Sequence, residues 1–349
     1  MLLLIVTGLL ACLLALVLTR LAVAWAPSLR FMDRPGSEAH KQHARVVPYG
    51  GGPAMAVAML AALVAGSWVG TLDLPGGPPD HGPLWPVLVG ALGLLFVGLW
   101  DDRKALGPKT KLVLQTGFTA AAVWFGDLGI DSLRAVPWLS FLAAWAWLVL
   151  VTNAFNLLDH ADGVSAGCAV ICAAILVVGA LLGGDASLAQ VFIALGGALL
   201  GYLWWNAPPA RIYMGDAGAL PLGFLIGVGT LSITFWPAAS SSNSFALLSP
   251  VIITAIPLFD TAVVIVKRWR RGKPLMVGDR NHISHRLGRL GLTPRATMAT
   301  VVSLQIALAG SVLTLRQGDL ASGVVVILTD AAILLAVVLL ETARDEGPR

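Results

Sequence analysis

Residues 137–163 read PWLSFLAAWAWLVLVTNAFNLLDHADG, an apolar run that ends in amides and carboxylates. A helix needs about 20 mostly apolar residues to cross roughly 30 Å of hydrocarbon. Backbone in lipid is satisfied only in helices or closed barrels, and this run is continuous rather than alternating, so it predicts a membrane-spanning helix. Asn153 and Asn156 lie about four turns into this helix, where a polar side chain is costly and indicates a functional site.

Similar runs occur along the whole chain. We count about eleven candidate spans, which begin near Leu2, Gly52, Leu84, Lys111, Pro137, Gly163, Ser187, Ala217, Phe245, Met298 and Leu320. The first run lacks an early basic region and a clear cleavage site, so we take it as a span rather than a cleaved signal peptide, with an uncleaved signal anchor as the alternative. The runs predict an all-α polytopic membrane protein, a single integral membrane domain over residues 1–349.

The composition agrees with this class of protein. Hydrophobic residues make up 57% of the chain and charged residues only 12%. A typical soluble domain has about 25% charged residues, so the composition excludes a soluble protein. The three cysteines lie in apolar runs without a CxxC pair, which excludes a disulfide scaffold and a zinc module.

The distribution of basic residues predicts the orientation of the spans. With the N-terminus outside, the inside segments are 27–50, 101–111, 155–162, 207–216, 267–297 and 342–349. These segments hold 20 of the 23 Lys and Arg residues, whereas the outside loops hold only Arg134 and Arg316. Cytoplasmic loops are enriched in Lys and Arg, so we expect an outside N-terminus and a cytoplasmic C-terminus.

Five polar segments fall at the cytoplasmic ends of the predicted spans, where the alternation of spans brings them to one face. They are residues 33–52, which include Lys41 and His43, and residues 101–115, 153–163, 213–218 and 260–286. Asp260 lies inside an apolar run and therefore needs a polar cavity or partner.

This face combines hard oxygen donors with cations. The oxygen donors are Asp101, Asp102, Asp159, Asp162, Asp216, Asn153 and Asn156. Mg²⁺ prefers one or two carboxylates together with substrate phosphate oxygens. The cations that suit the remaining oxygens of a diphosphate are Lys111, Arg280, His282, His285 and Arg286. Such a set suits phosphoryl transfer at the membrane interface.

Taken together, these motifs resemble the polyprenyl-phosphate N-acetylhexosamine-1-phosphate transferases of bacterial cell-envelope synthesis (glycosyltransferase family 4), over roughly residues 30–290. Residues 101–115 resemble DDxxxLxxxxKLxxQ, residues 153–163 resemble NAxNxxDGxDG, and residues 214–218 resemble MGDxGS. Residues 279–287 are similar to the DRxHxHHRL of the N-acetylglucosamine branch. They are less similar to the histidine-rich loop of the muramoyl-pentapeptide branch, which we keep as the alternative.

Four positions depart from the family pattern. His160 replaces a Gly, Ser284 replaces the middle His of the last loop, Ala219 replaces a Ser, and His40 stands where Arg is usual. His160 and Ser284 fall where the nucleotide and sugar would be read, so they bear on the identity of the donor. The acidic and basic residues of the motifs are present, which favours an active enzyme over a catalytically silent scaffold.

The resemblance implies that a UDP-N-acetylhexosamine, UDP-GlcNAc above all, reacts with polyprenyl (undecaprenyl) phosphate to give polyprenyl-diphospho-N-acetylhexosamine and UMP. It implies Mg²⁺ as the cofactor, with Mn²⁺ as a substitute, held by Asp216 and Asn156. Asp101 and Asp102 would orient the prenyl phosphate, with Asp101 as the base if one is used. A covalent aspartyl-phosphate route is the alternative to direct displacement.

The remaining residues are expected to contact substrate. Lys111, His282 and His285 would neutralise the diphosphate, and Asp159 and Asp162 would hold the nucleotide or support the metal. Further substrate-binding candidates are Lys41, His43, Asn153, Asp260, Arg280 and Arg286. If the last loop is helical, positions 282 and 285 share a face. Ser284 then points elsewhere.

The partners that follow are the lipid bilayer, the polyprenyl phosphate and the nucleotide sugar, and we expect no nucleic-acid partner. We expect a multi-pass protein of the bacterial inner (plasma) membrane with its active site facing the cytoplasm, as a monomer or a homodimer. A lipid or solute transporter is the alternative from a different class. It would show polar residues at the bilayer midplane and inverted repeats, neither of which we find in the sequence.

Overall fold

The structure is a computed structural model that describes residues 1–33, 46–68, 84–130, 133–234, 247–274, 281–315 and 320–345. In this part of the chain the helices are α1 Leu2–Trp25, α2 Gly51–Trp68, α3 Trp85–Arg103, α4 Pro108–Gly126, α5 Pro137–Leu158, α6 Val164–Leu182, α7 Ala186–Asn206, α8 Asp216–Thr234, α9 Ser249–Ile253, α10 Ala255–Arg270, α11 Ile283–Arg289, α12 Pro294–Leu315 and α13 Leu320–Asp345. Two short strands, β1 Met32–Asp33 and β2 Val47–Pro48, pair antiparallel.

The helices confirm an all-α polytopic membrane protein. Among the described residues, seven helices are long and apolar enough to cross a membrane, namely α1, α3, α5, α6, α7, α12 and most of α13. The helices α2 and α8 are apolar but shorter. A helix begins within four residues of each of the eleven starts expected from the sequence, with α9 and α10 together in the ninth place.

The packing of α1 on α7 is typical of membrane helices. Cβ atoms built on Gly197 and Gly201 would lie 2.2 Å from the carbonyl oxygens of Gly8 and Cys12. Only small residues allow two backbones to approach so closely. The opposite side of α1 exposes large apolar side chains such as Leu13, which is 60% exposed. A surface of this kind is stable against lipid and not against water.

Helix α8 lies at the centre of the bundle. It packs against α2, α3, α5, α6 and α9, and its residues from Ala217 to Leu231 are buried. Its first turn touches two neighbouring helices closely. A Cβ on Gly98 of α3 would lie 2.3 Å from the backbone of Asp216, and a Cβ on Gly52 of α2 would lie 2.3 Å from Gly218 N. These contacts bring the ends of three helices together at one point.

The ninth predicted span is divided at Thr254 into α9 and α10. Pro257 has no N–H to donate to the carbonyl of Ile253 four residues earlier, which frees that carbonyl. The buried Gln305 of α12 provides hydrogen-bond partners for two backbone groups at the break, Ile253 O and Ile256 N. Its amide nitrogen donates to Ile253 O at 2.7 Å, and its amide oxygen accepts from Ile256 N at 3.2 Å. A neighbouring helix thus satisfies the interrupted backbone, as lipid-embedded structure requires.

Candidate active site

Four helix ends bring one lysine, one asparagine and three aspartates together, and we call these residues the acidic cluster: Asp101, Asp102, Lys111, Asn156 and Asp216. Lys111 Nζ of α4 lies 3.2 Å from Asp101 Oδ2 at the end of α3, and it also contacts Asp216 Oδ2 at the start of α8. The side-chain amide of Asn156 in α5 lies 2.7 Å from Asp216 Oδ1 and 3.2 Å from Lys111 Nζ. The amide nitrogen of Asn156 donates to the Asp216 carboxylate, and its amide oxygen accepts from the Lys111 ammonium.

The two neighbouring aspartates of α3 have different contacts. Both carboxylate oxygens of Asp102 accept backbone hydrogen bonds from the first turn of α8, from Asp216 N at 2.9 Å and Ala217 N at 3.1 Å. A carboxylate there satisfies otherwise unpaired N–H groups and interacts favourably with the positive end of the helix dipole. Asp101 instead accepts from Leu106 N at 2.5 Å through one oxygen and faces Lys111 with the other.

Gly215 fits the turn before α8. Its φ of +65° lies in the left-handed region. A Cβ at this position would lie 2.3 Å from Asp102 Oδ2. A side chain would therefore be strained by the backbone angle and would displace the Asp102 carboxylate that holds α8.

Asp159 follows the last residue of α5 and lies close to the acidic cluster. Burial, together with the negative charges of Asp216, Asp102 and Asp162, raises the pKa of Asp159 well above its ordinary value. Carboxylates crowded in this way would gain from more positive charge than Lys111 alone supplies.

A second group of polar side chains forms what we call the histidine cluster: His160, Asp260, His282, Ser284, His285 and Arg286. Asp260 of α10 is only 1% exposed, and it has the polar partners expected from its place in an apolar run. One of its oxygens lies 2.7 Å from His282 Nδ1. The other accepts from Ile283 N at 2.6 Å and from the Arg286 guanidinium at 3.3 Å.

The two clusters meet through the loop that follows α5. Asn156 of the acidic cluster lies in the last turn of α5, and His160 of the histidine cluster follows four residues later in the loop. The His160 ring stacks on His282 with centroids 4.1 Å apart and lies 5.2 Å from the His285 ring. Burial, followed by the charge of His282, lowers the pKa of His160 to about 3, so this ring is neutral at neutral pH.

Three ligand-type groups, on His160, Asp260 and His282, lie within 4.8 Å of one another and form a group that could hold a metal ion. Two imidazoles and a carboxylate suit zinc or a related transition metal better than Mg²⁺. Protein hydrogen bonds already use both carboxylate oxygens of Asp260, both ring nitrogens of His160 and Nδ1 of His282. Asp260 holds His282 Nδ1, and His160 contacts Leu157 O at 2.8 Å through Nδ1 and Ser284 Oγ through Nε2. The contacts favour a hydrogen-bonded network.

Other predicted site residues have backbone partners. Asp162 Oδ2 accepts from Ala210 N at 2.9 Å and ties the loop after α5 to the loop after α7. The Asn153 amide donates to Val149 O at 2.7 Å within its own helix. Lys41, His43 and Arg280 lie outside the described residues.

Two features of the site differ from the sequence-based expectation. A helical loop would turn Ser284 away from a face shared by positions 282 and 285, but α11 begins only at Ile283, and the Ser284 Oγ contacts Nε2 of His160, whose ring lies against both histidines. His282 precedes the first turn of α11, so it does not share a helix face with His285. Both rings instead lie next to the His160 ring. Sequence reasoning also missed the buried Asn206, which accepts from Gly163 N and donates to Ile212 O, both at 2.9 Å. The available signal was a lone amide at the end of an apolar run.

Comparison with known proteins identifies the family. Residues 84–235, which hold the whole acidic cluster, match Glycosyl transferase family 4. A Mycolicibacterium smegmatis protein named decaprenyl-phosphate N-acetylglucosaminephosphotransferase is 32% identical, over 82% of this chain and 77% of its own length. A Bacillus subtilis (strain 168) protein named "Probable undecaprenyl-phosphate N-acetylglucosaminyl 1-phosphate transferase" is 29% identical, over 87% and 83%.

An Escherichia coli (strain K12) protein named undecaprenyl-phosphate alpha-N-acetylglucosaminyl 1-phosphate transferase is 27% identical, over 84% of this chain and 78% of its own length. Similarity of this extent confirms the resemblance that the motifs carry: the chain belongs to glycosyl transferase family 4.

Proposed function

We propose that this protein transfers GlcNAc-1-phosphate from UDP-GlcNAc to a polyprenyl phosphate, giving polyprenyl-diphospho-GlcNAc and UMP. The observation that carries the proposal is the acidic cluster, in which Asp101, Lys111, Asn156 and Asp216 converge from four helices. The names of the relatives, which describe undecaprenyl- or decaprenyl-phosphate substrates, support the acceptor and the sugar phosphate.

The acceptor phosphate needs positioning more than activation. A phosphomonoester has a second pKa of about 6 and is mostly dianionic at neutral pH. It attacks the phosphorus that carries the sugar, and the bond from that phosphorus to the bridging oxygen breaks, so that UMP leaves. Because both reactants are anions, the Lys111 ammonium and the nearby imidazoles hold them together and stabilise the charge of the transition state.

The donor set of the acidic cluster fits Mg²⁺. Asp216 offers a carboxylate beside the Asn156 amide, whose nitrogen lies 2.7 Å from Asp216 Oδ1 and whose oxygen lies 3.2 Å from Lys111 Nζ, and Asp101 adds a second carboxylate next to the same lysine. These are the hard oxygen donors that Mg²⁺ prefers, with Mn²⁺ as the natural substitute. Asp216 and Asn156 would hold the ion, which supplies positive charge for the phosphate oxygens.

Two residues expected to contact substrate are better described as positioning residues. Asp102 uses both carboxylate oxygens to hold the first turn of α8 and so fixes the position of Asp216. Asp260 is buried and fixes His282 and Arg286. We assign these two aspartates to the support of the site, and His282, His285 and Arg286 to the donor diphosphate.

We further propose eleven spans with the N-terminus outside and the C-terminus cytoplasmic, in a bacterial inner membrane, as one transferase domain. The proposal is supported by the excess of Lys and Arg in alternate loops and by the eleven helix positions along the chain. It puts both clusters on the cytoplasmic side, where nucleotide sugars are available.

The test is a panel of radiolabelled donors with purified protein in detergent. UDP-GlcNAc, UDP-GalNAc and the UDP-muramoyl pentapeptide are each supplied with undecaprenyl phosphate and with decaprenyl phosphate, and lipid-linked product is counted. We expect product from UDP-GlcNAc together with release of UMP, and none after EDTA treatment. Turnover of the muramoyl pentapeptide without turnover of UDP-GlcNAc would contradict the proposed donor.

A further inference from the structure

Two positions at which the sequence departs from the family pattern contact each other, although they are 124 residues apart. His160 Nε2 is bonded to Ser284 Oγ. His160 Nδ1 lies 2.8 Å from Leu157 O, and a carbonyl only accepts, so the ring hydrogen is on Nδ1. The Ser284 hydroxyl therefore donates to Nε2. His160 thus supplies an imidazole where the family pattern has glycine, and Ser284 supplies a hydroxyl that donates to this ring where the pattern has histidine.

The His160 ring lies against the histidines assigned to the donor diphosphate. It stacks on His282 with an interplanar angle of 27°, and its centroid is 5.2 Å from that of His285. His282 is thus held on its edge by Asp260 and on its face by His160. Removing the His160 ring would leave the face of His282 without this support.

The direct contact between His160 and Ser284 leaves no room for a second imidazole between the two loops. In a histidine, Cγ takes the place that Oγ takes in a serine, and the rest of the ring extends beyond it. A histidine at position 284 in the Ser284 rotamer would overlap the His160 ring. With glycine at position 160, the same ring would have room. Glycine at 160 with serine at 284 leaves a gap beside His282.

We propose that His160 and Ser284 are a compensating pair, in which His160 supplies from the loop after α5 the imidazole that the family motif places at position 284. His160 is then a positioning residue that holds His282 and His285 toward the donor diphosphate. This inference rests on the proposed function, and it assigns His160 a role that the family pattern, with glycine there, does not contain.

The test is a double-mutant cycle of His160→Gly, Ser284→His and the two together, with kcat and KM measured for UDP-GlcNAc and for polyprenyl phosphate. We expect each single variant to lose at least about tenfold in kcat/KM for UDP-GlcNAc. The double variant should return to within about threefold of wild type. The KM for polyprenyl phosphate should stay unchanged throughout. Losses that multiply in the double variant, or full activity of His160→Gly, would overturn the pairing.

A second readout is independent of catalysis. The thermal unfolding midpoint of the same four proteins in detergent should fall by about 2 °C or more in each single variant and recover in the double variant. If wild-type protein transfers no sugar phosphate, the proposed function fails and this cycle still tests the pair. Midpoint shifts that simply add would overturn the pairing even in an active enzyme.

Discussion

Lys111 joins carboxylates from two different helices, Asp101 at the end of α3 and Asp216 at the start of α8. All three side chains are at most 19% exposed, so solvent screens their charges weakly. Removing the ammonium would leave two carboxylates facing each other with no compensating cation, a change that is strongly destabilising at buried sites. The lysine therefore holds the two carboxylates in place, in addition to the substrate contact proposed for it.

We expect Lys111→Met to reduce turnover by at least about 10²-fold, because the charge that stabilises the transferred phosphate is lost. Lys109→Met is the matched control, since Lys109 is exposed two residues earlier on the same helix. Initial rates of lipid-linked product formation at saturating Mg²⁺ measure both. Equal rates for the two variants would contradict the proposed role of Lys111 in phosphate transfer.

Asp216→Asn should reduce turnover by at least about 10²-fold and weaken the apparent affinity for Mg²⁺, because an amide is a poorer ligand than a carboxylate. Asp127→Asn changes a carboxylate that is 77% exposed and serves as the control. The measurement is a Mg²⁺ titration of the transfer rate. An unchanged half-saturating Mg²⁺ concentration would argue against Asp216 as a ligand.

At the scale of helices, the site depends on how closely α3 approaches α8. Gly98 allows this approach, since its Cβ would lie 2.3 Å from backbone atoms of Asp216 and Ala217. Backbone atoms do not move aside as a flexible side chain does, so the added methyl must separate the two helices. That separation would pull Asp101 and Asp102 away from Asp216.

We expect Gly98→Ala to lose at least about tenfold in turnover and about 1–3 kcal/mol in stability, as for other overpacked interiors. Gly117→Ala in α4 is the control, because apart from its own helix no described atom lies within 4 Å of its Cβ position. That variant should be neutral or more stable. The measurements are the transfer rates and thermal unfolding midpoints of both variants and of the wild type in the same detergent. Comparable losses in both variants would refute the close-approach argument.

The break between α9 and α10 gives a second test at this scale. Gln305→Leu should cost about 1–3 kcal/mol, because Ile256 N loses its partner and Ile253 O loses its amide donor in an apolar interior. Gln115→Leu is the control, since the buried Gln115 Nε2 has no hydrogen-bond partner among the described residues. Its replacement should be neutral or stabilising. Unfolding midpoints measure both, and a larger loss for Gln115→Leu would exclude this explanation of the break.

For the whole molecule, the sequence predicts helix positions well because lipid imposes a simple rule on apolar length. Prolines near the starts of α4, α5 and α12, at Pro108, Pro137 and Pro294, sharpen those positions. The gathering of Asp101, Lys111, Asn156 and Asp216 also agrees with the shared face expected from alternating spans.

What the sequence does not predict depends on distances between helices. Asp101 and Asp102 have the same chemistry in the sequence, and only the contact of α3 with α8 distinguishes the one that faces Lys111 from the one that holds α8. The sequence assigns no role to Ser284, because its partner His160 is brought beside it only by the loop after α5. Such contacts between distant segments carry no local pattern.

The orientation of the whole protein can be tested with two matched glycines. Gly272 follows α10 and Gly184 follows α6; both have positive φ, of +61° and +80°, and no described atom within 4 Å of the Cβ position. They therefore tolerate a cysteine to a similar degree. The proposed topology puts Gly272 in the cytoplasm and Gly184 outside, because α10 ends and α6 begins on the side of the active site.

In a background with Cys12, Cys168 and Cys172 replaced, we expect an impermeant thiol reagent to label Gly184→Cys in intact spheroplasts. Gly272→Cys should be labelled only after the membrane is opened. The physical reason is the excess of Lys and Arg in the segment 267–297, which is retained on the cytoplasmic side. Labelling of Gly272→Cys from outside, with protection of Gly184→Cys, would show that the protein has the opposite orientation. Both clusters would then face away from the cytoplasmic nucleotide sugar.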